Sequence, residues 1–162
     1  MQIRDLNSDD HLGLVDDFYR RAPDYWLMAD GRAPLMQKAR DFFTDCPPGC
    51  DPALSRRIGL FLNGRLSGLA ELSFGFPSAD DAYLGFLMLC PEERNRGRGK
   101  VLYAFVEDIA RKAGHTHLYL AVLDINSPAR RFWEREGFRH AGVTGTNARG
   151  QTLTRLIKVL SC

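Results

Sequence analysis

Apolar residues follow two different spacings along the chain, and the spacings predict helices and strands. The first predicted helix is capped by residues 8–10 and has an apolar face formed by Leu14, Val15, Phe18 and Tyr19. The other predicted helices cover residues 34–44, residues 100–113 and a segment that begins at Ser127 and is closed by Gly137. Short apolar runs predict strands at residues 2–6, 58–62, 66–74, 82–89, 117–123, 138–144 and 153–160.

Turn residues connect these elements and set their order. Asn63 and Gly64 predict a two-residue hairpin, and residues 147–150 predict a second turn near the end of the chain. The aromatic segment 23–28 is interpreted as an interrupted loop between the first two helices. The predicted order is β-α-α-β-β-β-α-β-α-β-β. This order indicates one α/β domain over residues 1–162, with a mixed central sheet flanked by helices.

A basic, glycine-containing segment connects the strand at 82–89 to the helix at 100–113. Residues 94–100 read R-N-R-G-R-G-K, so glycines permit a tight turn among cationic side chains. The N–H groups and the dipole of the helix that follows favour an anion such as a diphosphate. The spacing fits neither a Walker loop nor the dinucleotide fingerprint. An ordinary basic turn before a helix is the alternative interpretation.

A second pattern follows the strand at 117–123 and reads N-S-P-A-R-R-F-W-E-R-E-G-F. Ser127 is the predicted N-cap, Pro128 suits the first helical position, and Gly137 ends the helix. One face of this helix carries Ala129, Phe132 and Trp133. Packing in the hydrophobic core would also explain the two aromatic residues.

Together, the two segments resemble the two motifs of the GNAT superfamily of N-acetyltransferases. The first is Arg-x-x-Gly-x-Gly at residues 94–99, and the second is Asn-x-x-Ala-x-x-Phe-Tyr-x-x-x-Gly-Phe at residues 126–138. The resemblance implies acetyl-CoA as cosubstrate, without a metal. The cofactor-binding residues that it implies are Leu87, Met88, Leu89, Arg94, Asn95, Arg96, Gly97, Arg98, Gly99, Lys100, Asn126, Ala129, Phe132 and Trp133. Trp133 replaces the tyrosine of the family, and an indole N–H is not an acid near neutral pH.

Acetyl transfer to an amine needs a base, because an alkylamine is mostly protonated at pH 7. Glu71, in the strand next to the cofactor strand, resembles the carboxylate base of several family members. The alternation of its strand leaves open a solvated surface residue instead. Asp80 and Asp81 are alternative carboxylates that are more typical of a solvated turn. The CoA thiolate also needs a proton, and the candidate donor is Tyr83 (or Tyr119).

The composition of the whole chain restricts its partners and its compartment. The net charge of +2 is too small to indicate nucleic acid or an anionic membrane as a partner. The first residues lack a signal-peptide core and no apolar run is long enough to span a membrane, so a cytoplasmic location is expected. The four cysteines are expected to be reduced thiols. Cys46 and Cys50 would form a metal or redox site only with further ligands.

These observations predict an acetyl-CoA-dependent N-acetyltransferase that acts on a primary amine of a small molecule. The segment 23–28 is the expected source of acceptor selectivity, because in the resembled family the loop between the first two helices covers the acceptor cleft. A protein or peptide N-acetyltransferase is one alternative, and a CoA-binding module without turnover is another. A homodimer through the terminal strands is left open.

Overall fold

A mixed sheet of seven strands runs through the computed structural model, which describes residues 1–160. The strands lie in the order β1-β2-β3-β4-β5-β7-β6, and each neighbouring pair is antiparallel except β4 and β5, which are parallel. The predicted mixed sheet is therefore confirmed. The strands are β1 (Gln2–Asp5), β2 (Arg56–Leu62), β3 (Arg65–Phe74), β4 (Asp81–Leu89), β5 (His117–Leu123), β6 (Arg139–Thr146) and β7 (Thr152–Val159).

Five α-helices flank the sheet within residues 1–160, one more than the sequence predicts. They are α1 (Ser8–Arg21), α2 (Asp24–Asp30), α3 (Met36–Thr44), α4 (Arg98–Lys112) and α5 (Ser127–Arg135), and a 3₁₀ turn covers Pro91–Glu93. The prediction of a loop at 23–28 was wrong, because residues 24–28 belong to α2 and Pro23 is its N-cap. Seven residues are too few to show a helical period clearly. None of the helices in residues 1–160 is long and apolar enough to cross a membrane.

The helix starts differ from the prediction because the capping residues differ. Asn7 caps α1, where its side chain accepts a hydrogen bond from Asp10 N at 2.8 Å, and Asn126 caps α5 by accepting from Ala129 N at 3.4 Å. Ser8 and Ser127 are therefore the first helical residues rather than caps. Asparagine and serine are similarly good caps, so the sequence did not distinguish adjacent candidates.

The two faces of the sheet are covered by different helices. One hydrophobic cluster packs α4 and α5 against one face, and a second packs α1 and α3 against the other. Both faces of β3 are consequently buried over most of the strand. Glu71 and Ser73 lie on the polar phase of β3 but are only 6% and 0% exposed. The alternative interpretation of Glu71 as a solvated surface residue is therefore wrong.

The sheet opens where β4 and β5 diverge. Their parallel pairing covers three residue pairs and ends with Tyr83 opposite Tyr119. Beyond this point β4 remains paired with β3 as far as Leu89, and β5 remains paired with β7 as far as Leu123. The carboxyl ends of the two parallel strands therefore form the walls of a wedge.

Gly13 offers a test of helix propensity in α1. A Cβ added there would meet no atom within 4 Å, and the residue lies inside the helix. Gly13→Ala should raise the free energy of unfolding by about 0.5–1 kcal/mol, since alanine restricts the unfolded chain and favours the helix. Urea denaturation measures this change.

Gly114 is the matched control because its Cβ would also meet open space, but its φ is +86°. Gly114→Ala should lower the free energy of unfolding by about 1 kcal/mol, as the left-handed region disfavours alanine. A change of the same sign at both positions would contradict this account.

Candidate active site

A cavity of about 710 Å³ occupies the wedge between β4 and β5. Its walls are the ends of the two strands, the start of α4, the first turns of α5 and part of α2. The predicted cofactor residues that line it are Leu87, Met88, Leu89, Arg94, Asn95, Gly97, Gly99, Lys100, Asn126, Ala129, Phe132 and Trp133. Two segments that are far apart in the sequence therefore form one cleft.

Arg96 and Arg98 are the predicted cofactor residues that do not line this cavity. The side chain of Arg98 forms an ion pair with Glu93 at 2.8 Å, and Arg96 is exposed outside the cleft. Residue type alone could not separate these arginines from Lys100, which does line the cavity.

The N-terminus of α4 is suited to an anion. The helix begins at Arg98, two residues before its predicted start, because Gly97 takes the preceding cap position with φ +79°. No side chain of residues 1–160 caps this end, so the first N–H groups of the helix have no capping partner there and carry the positive end of its dipole. Gly99, in the first turn, lines the cleft without a side chain.

Arg94 connects this loop to α2 across the cleft. Its guanidinium forms two hydrogen bonds with the Asp24 carboxylate, one of them at 3.1 Å, and donates to Leu89 O at 3.0 and 3.2 Å. The ion pair lowers the pKa of Asp24. Asp24, Tyr25 and Met28 of α2 all line the cleft. In the sequence, these three residues are indicated only by the aromatic character of segment 23–28.

Phe132 and Trp133 serve both the core and the cleft. The indole of Trp133 is 8% exposed and makes edge-to-face contacts with Tyr103, Phe132 and Phe138 at centroid distances of 4.8–5.5 Å. Both residues also line the cavity. The two interpretations of these aromatic residues are therefore compatible.

Glu71 lies beside the cleft in a buried polar network. The Ser73 hydroxyl donates to Glu71 Oε1, and Arg57 Nη1 lies 3.5 Å from the same oxygen. Ser73 is also hydrogen-bonded to Ser55 at 2.8 Å. Burial raises the pKa of Glu71, whereas the Ser73 hydrogen bond and the charge of Arg57 act in the opposite direction. A carboxylate with a raised pKa is a better proton acceptor near neutral pH.

Gly85 provides the space for this carboxylate. The register of β3 and β4 shifts after Glu71, so that Glu71 faces Phe86 and Leu72 faces Leu84, which leaves Gly85 without a partner. A Cβ on Gly85 would lie 2.1 Å from Glu71 Oε2. Gly85 also lines the cleft, so Glu71 lies against a residue of the cleft wall.

The other candidate acids and bases lie elsewhere. Tyr83 lies before the divergence and does not line the cleft, and burial raises the pKa of its hydroxyl against the opposite effect of the nearby Arg155. Tyr119 of β5 is paired with Tyr83 in the parallel ladder. Asp81 is buried, and it accepts hydrogen bonds from Ser78 N and Oγ at 3.1 and 2.7 Å. The expectation of a solvated Asp81 was wrong.

Comparison with known proteins identifies the family. The sequence profile of the acetyltransferase (GNAT) family matches residues 14–138, which is more than half of the chain. The chain belongs to this family. The predicted GNAT-like fold and the prediction of an acyltransferase family are thereby confirmed, and acetyl-CoA is the cosubstrate that GNAT enzymes use.

Individual relatives differ in how much of the chain they resemble. A streptothricin acetyltransferase from Streptomyces lavendulae is 33% identical over 88 residues, which are 53% of this chain and 45% of the relative. The chain thus matches less than half of the length of that protein. An acetyltransferase structure from Thermus thermophilus is 25% identical over 98% of this chain and 96% of its own, with a TM-score of 0.76.

The ribosomal-protein-S18-alanine N-acetyltransferase from Escherichia coli has a TM-score of 0.71 and is 19% identical over 99% of this chain and 94% of its own. At this identity the likeness shows a shared fold. The names of these relatives include both a small molecule and a protein as acceptor.

The contact between Gly85 and Glu71 can be tested by a double-mutant cycle. Gly85→Ala should lower the free energy of unfolding by about 1–3 kcal/mol, because the added methyl overlaps the carboxylate and overpacks a buried site. In a Glu71→Ala background the same change should have much less effect. Urea denaturation of the four proteins gives the coupling, and an equal effect in both backgrounds would show that the carboxylate is not the obstacle.

Proposed function

We propose that this protein is an acetyl-CoA-dependent N-acetyltransferase that acetylates a primary amine of a small molecule. The observation that carries the proposal is the cleft itself: the uncapped N-terminus of α4 forms part of its wall, and the buried carboxylate of Glu71 lies against Gly85 of the same wall. An anion site for the diphosphate and a proton acceptor for the amine are two of the groups that this reaction needs from a protein.

The residues present fit acetyl-CoA. The free N–H groups at the start of α4, together with Lys100, would hold the diphosphate, and Gly99 allows the backbone to come close. The walls formed by β4 and by Ala129, Phe132 and Trp133 would hold the less polar arm that leads to the thioester. Exposed backbone N–H groups on the diverging edge of β4 would bind the carbonyl oxygen, where negative charge develops.

Glu71 would act as the base. Accepting a proton from the acceptor ammonium, directly or through water, gives the neutral amine, whose nitrogen then forms a bond to the acetyl carbon as the carbon–sulfur bond breaks. The products are an amide and the CoA thiol. Trp133 cannot supply the proton that the thiolate needs. Tyr83, the predicted donor, lies outside the cleft lining, so we propose that water carries to the thiolate the proton that the attacking nitrogen loses as the amide forms.

A small-molecule acceptor is supported by the streptothricin acetyltransferase that this chain resembles over part of its length. It is also supported by the site, because α2 lines the cleft and is held in place by the β6–β7 turn. Arg149 and Gln151 donate to Met28 O at 3.1 and 3.0 Å and join the two elements.

The anion site predicts the effect of a side chain at Gly99. Its Cβ would lie 3.4 Å from Phe132 and 3.6 Å from Leu89, so the methyl groups of valine would extend into the cleft or against these residues. Gly99→Val should weaken acetyl-CoA binding by roughly tenfold or more, since it separates the ligand from the N–H groups. Isothermal titration calorimetry measures the affinity.

Gly145→Val is the matched control, because Gly145 lies on β6 with open space around its Cβ and without a positive φ. The control should keep the affinity of the parent. Unchanged binding in Gly99→Val would remove the start of α4 from the cofactor site.

The base proposed here predicts a pH-dependent defect. Glu71→Gln should lower kcat/KM about 10²-fold near pH 7, the range expected for loss of a general base. Because the pKa of Glu71 is raised, its carboxyl group loses its proton at a higher pH than an ordinary glutamate, whose pKa is about 4.3. Glu71 can act as a base only above that higher pH. The defect should shrink at high pH, where free amine becomes abundant.

The pH profiles of the parent and the variant should be compared with Glu134→Gln, which alters an exposed glutamate on α5. That control should match the parent at each pH. If Glu71→Gln were as active as the parent at pH 7, Glu71 would have a structural role alone.

A further inference from the structure

A second cavity, of about 230 Å³, lies next to the cleft between the sheet and helices α1, α2 and α3. It shares Tyr25, Gly85 and Phe86 with the cleft, so the two spaces meet at the residue that makes room for Glu71. We refer to this second cavity as the side pocket. Its lining combines five aromatic and five charged side chains, namely Tyr19, Tyr25, Trp26, Phe42 and Phe86 with Lys38, Asp41, Asp45, Arg57 and Glu71.

The charges of the side pocket are unbalanced. Lys38 forms an ion pair with Asp30 at 2.8 Å, and Arg57 lies 3.5 Å from Glu71, so each cation has its own carboxylate. Asp41 accepts a hydrogen bond from the neutral amide of Gln37 at 2.9 Å. Among residues 1–160, no cation forms an ion pair with Asp41 or Asp45. Two carboxylates are therefore left without a cation in contact.

Their position on α3 is unfavourable for the helix. Asp41 lies in the last turn and Asp45 is the C-cap, so both face the negative end of the dipole, and this turn contains no basic residue. The two carboxylates are also four residues apart, where like charges repel. Although Asp45 is exposed as a residue, desolvation of its carboxyl group and the charge of Asp41 raise its pKa, whereas the charges of Arg57 and Lys38 act in the opposite direction. An arrangement that opposes helix stability is expected where a ligand compensates for it.

Arg57 is a second, independent indication of a ligand. Its side chain is 6% exposed and its Nη1 donates to Phe42 O at 2.7 Å, but Nε and Nη2 are buried without a hydrogen-bond partner among the described residues. Buried donors without an acceptor destabilise a protein. An oxygen atom from a bound molecule would satisfy them.

The aromatic walls suit an ammonium group. Trp26 and Phe86 stack nearly parallel, with 12° between their planes and 5.8 Å between their centroids. The ammonium of Lys38 lies 4.7 Å from the centroid of the Trp26 ring, which shows that this ring already has a cation near its face. Aromatic faces attract cations electrostatically, most strongly where water is excluded.

From these observations we infer that the side pocket binds a second ammonium group of the acceptor, with an oxygen atom of the same molecule near Arg57. The acceptor class is thus a diamine that carries a carbonyl or hydroxyl group, such as an amide of a basic amino acid. This inference rests on the proposed function, because the reacting amine is placed at Glu71. Asp41 and Asp45 are its specificity-determining residues.

Three acceptors of similar length separate the contributions. Pentylamine has only the reacting amine, cadaverine adds the second ammonium, and lysinamide adds a carbonyl group as well. The parent should show a kcat/KM for cadaverine roughly tenfold or more above that for pentylamine, as expected for an ammonium held by carboxylates and aromatic rings. Lysinamide should exceed cadaverine again. Asp41→Asn and Asp45→Asn should each reduce the cadaverine-to-pentylamine ratio several-fold, and together bring it near one.

Asp9→Asn is the control variant, since Asp9 is exposed on the first turn of α1, away from the side pocket. It should keep the ratio of the parent. Equal kcat/KM values for pentylamine and cadaverine in the parent, or a ratio that survives the double variant, would overturn the inference. Lysinamide no better than cadaverine would overturn the part assigned to Arg57.

Calorimetry with CoA present separates this inference from the proposed function. If no amine is acetylated, the proposed function fails, but cadaverine should still bind more tightly than pentylamine and lose this advantage in the double variant. Equal binding of the two amines would overturn the inference whether or not the protein is active.

Discussion

The divergence of β4 from β5 is the constraint on which the rest of the structure depends. A parallel pair inside a sheet normally continues its ladder of hydrogen bonds, whereas here the ladder ends at Tyr83 and Tyr119. The backbone groups beyond this point have no neighbouring strand across the gap. The edges of the wedge therefore offer donors and acceptors to a bound molecule at the carboxyl ends of the parallel strands, where open α/β sheets commonly bind ligands.

The position of α4 follows from the same opening. β4 ends at the open end of the wedge. The short connection that follows it therefore places the start of α4 beside the cleft. The left-handed backbone of Asn95 and Gly97, with φ values of 61° and 79°, makes this connection tight. Along the edge of β4 that pairs with β3, Gly85 has no partner, and the side chain of Glu71 lies against it at the cleft wall. One strand thus positions both the anion site and the buried carboxylate.

Much of this arrangement could be predicted from the sequence, because its signals are local. The helix and strand periods, the Asn63–Gly64 turn and the two motif segments each occupy a few adjacent residues. The features that could not be predicted depend on residues far apart in the chain. The partner of Arg94 is 70 residues away, and the burial of Glu71 requires helices on both faces of β3. The short helix α2 lacks a readable period and is held mainly by such distant contacts.

Those contacts hold α2 at both of its ends. A helix of seven residues has little stability of its own in water. Its first residue, Asp24, is held by Arg94 of the loop between β4 and α4, and its last turn is held through Met28 O by Arg149 and Gln151 of the β6–β7 turn. The helix therefore connects the loop before α4 to the β6–β7 turn. Because Asp24, Tyr25 and Met28 line the cleft, a ligand that broke the contact at one end of α2 would also change the room left at the other end.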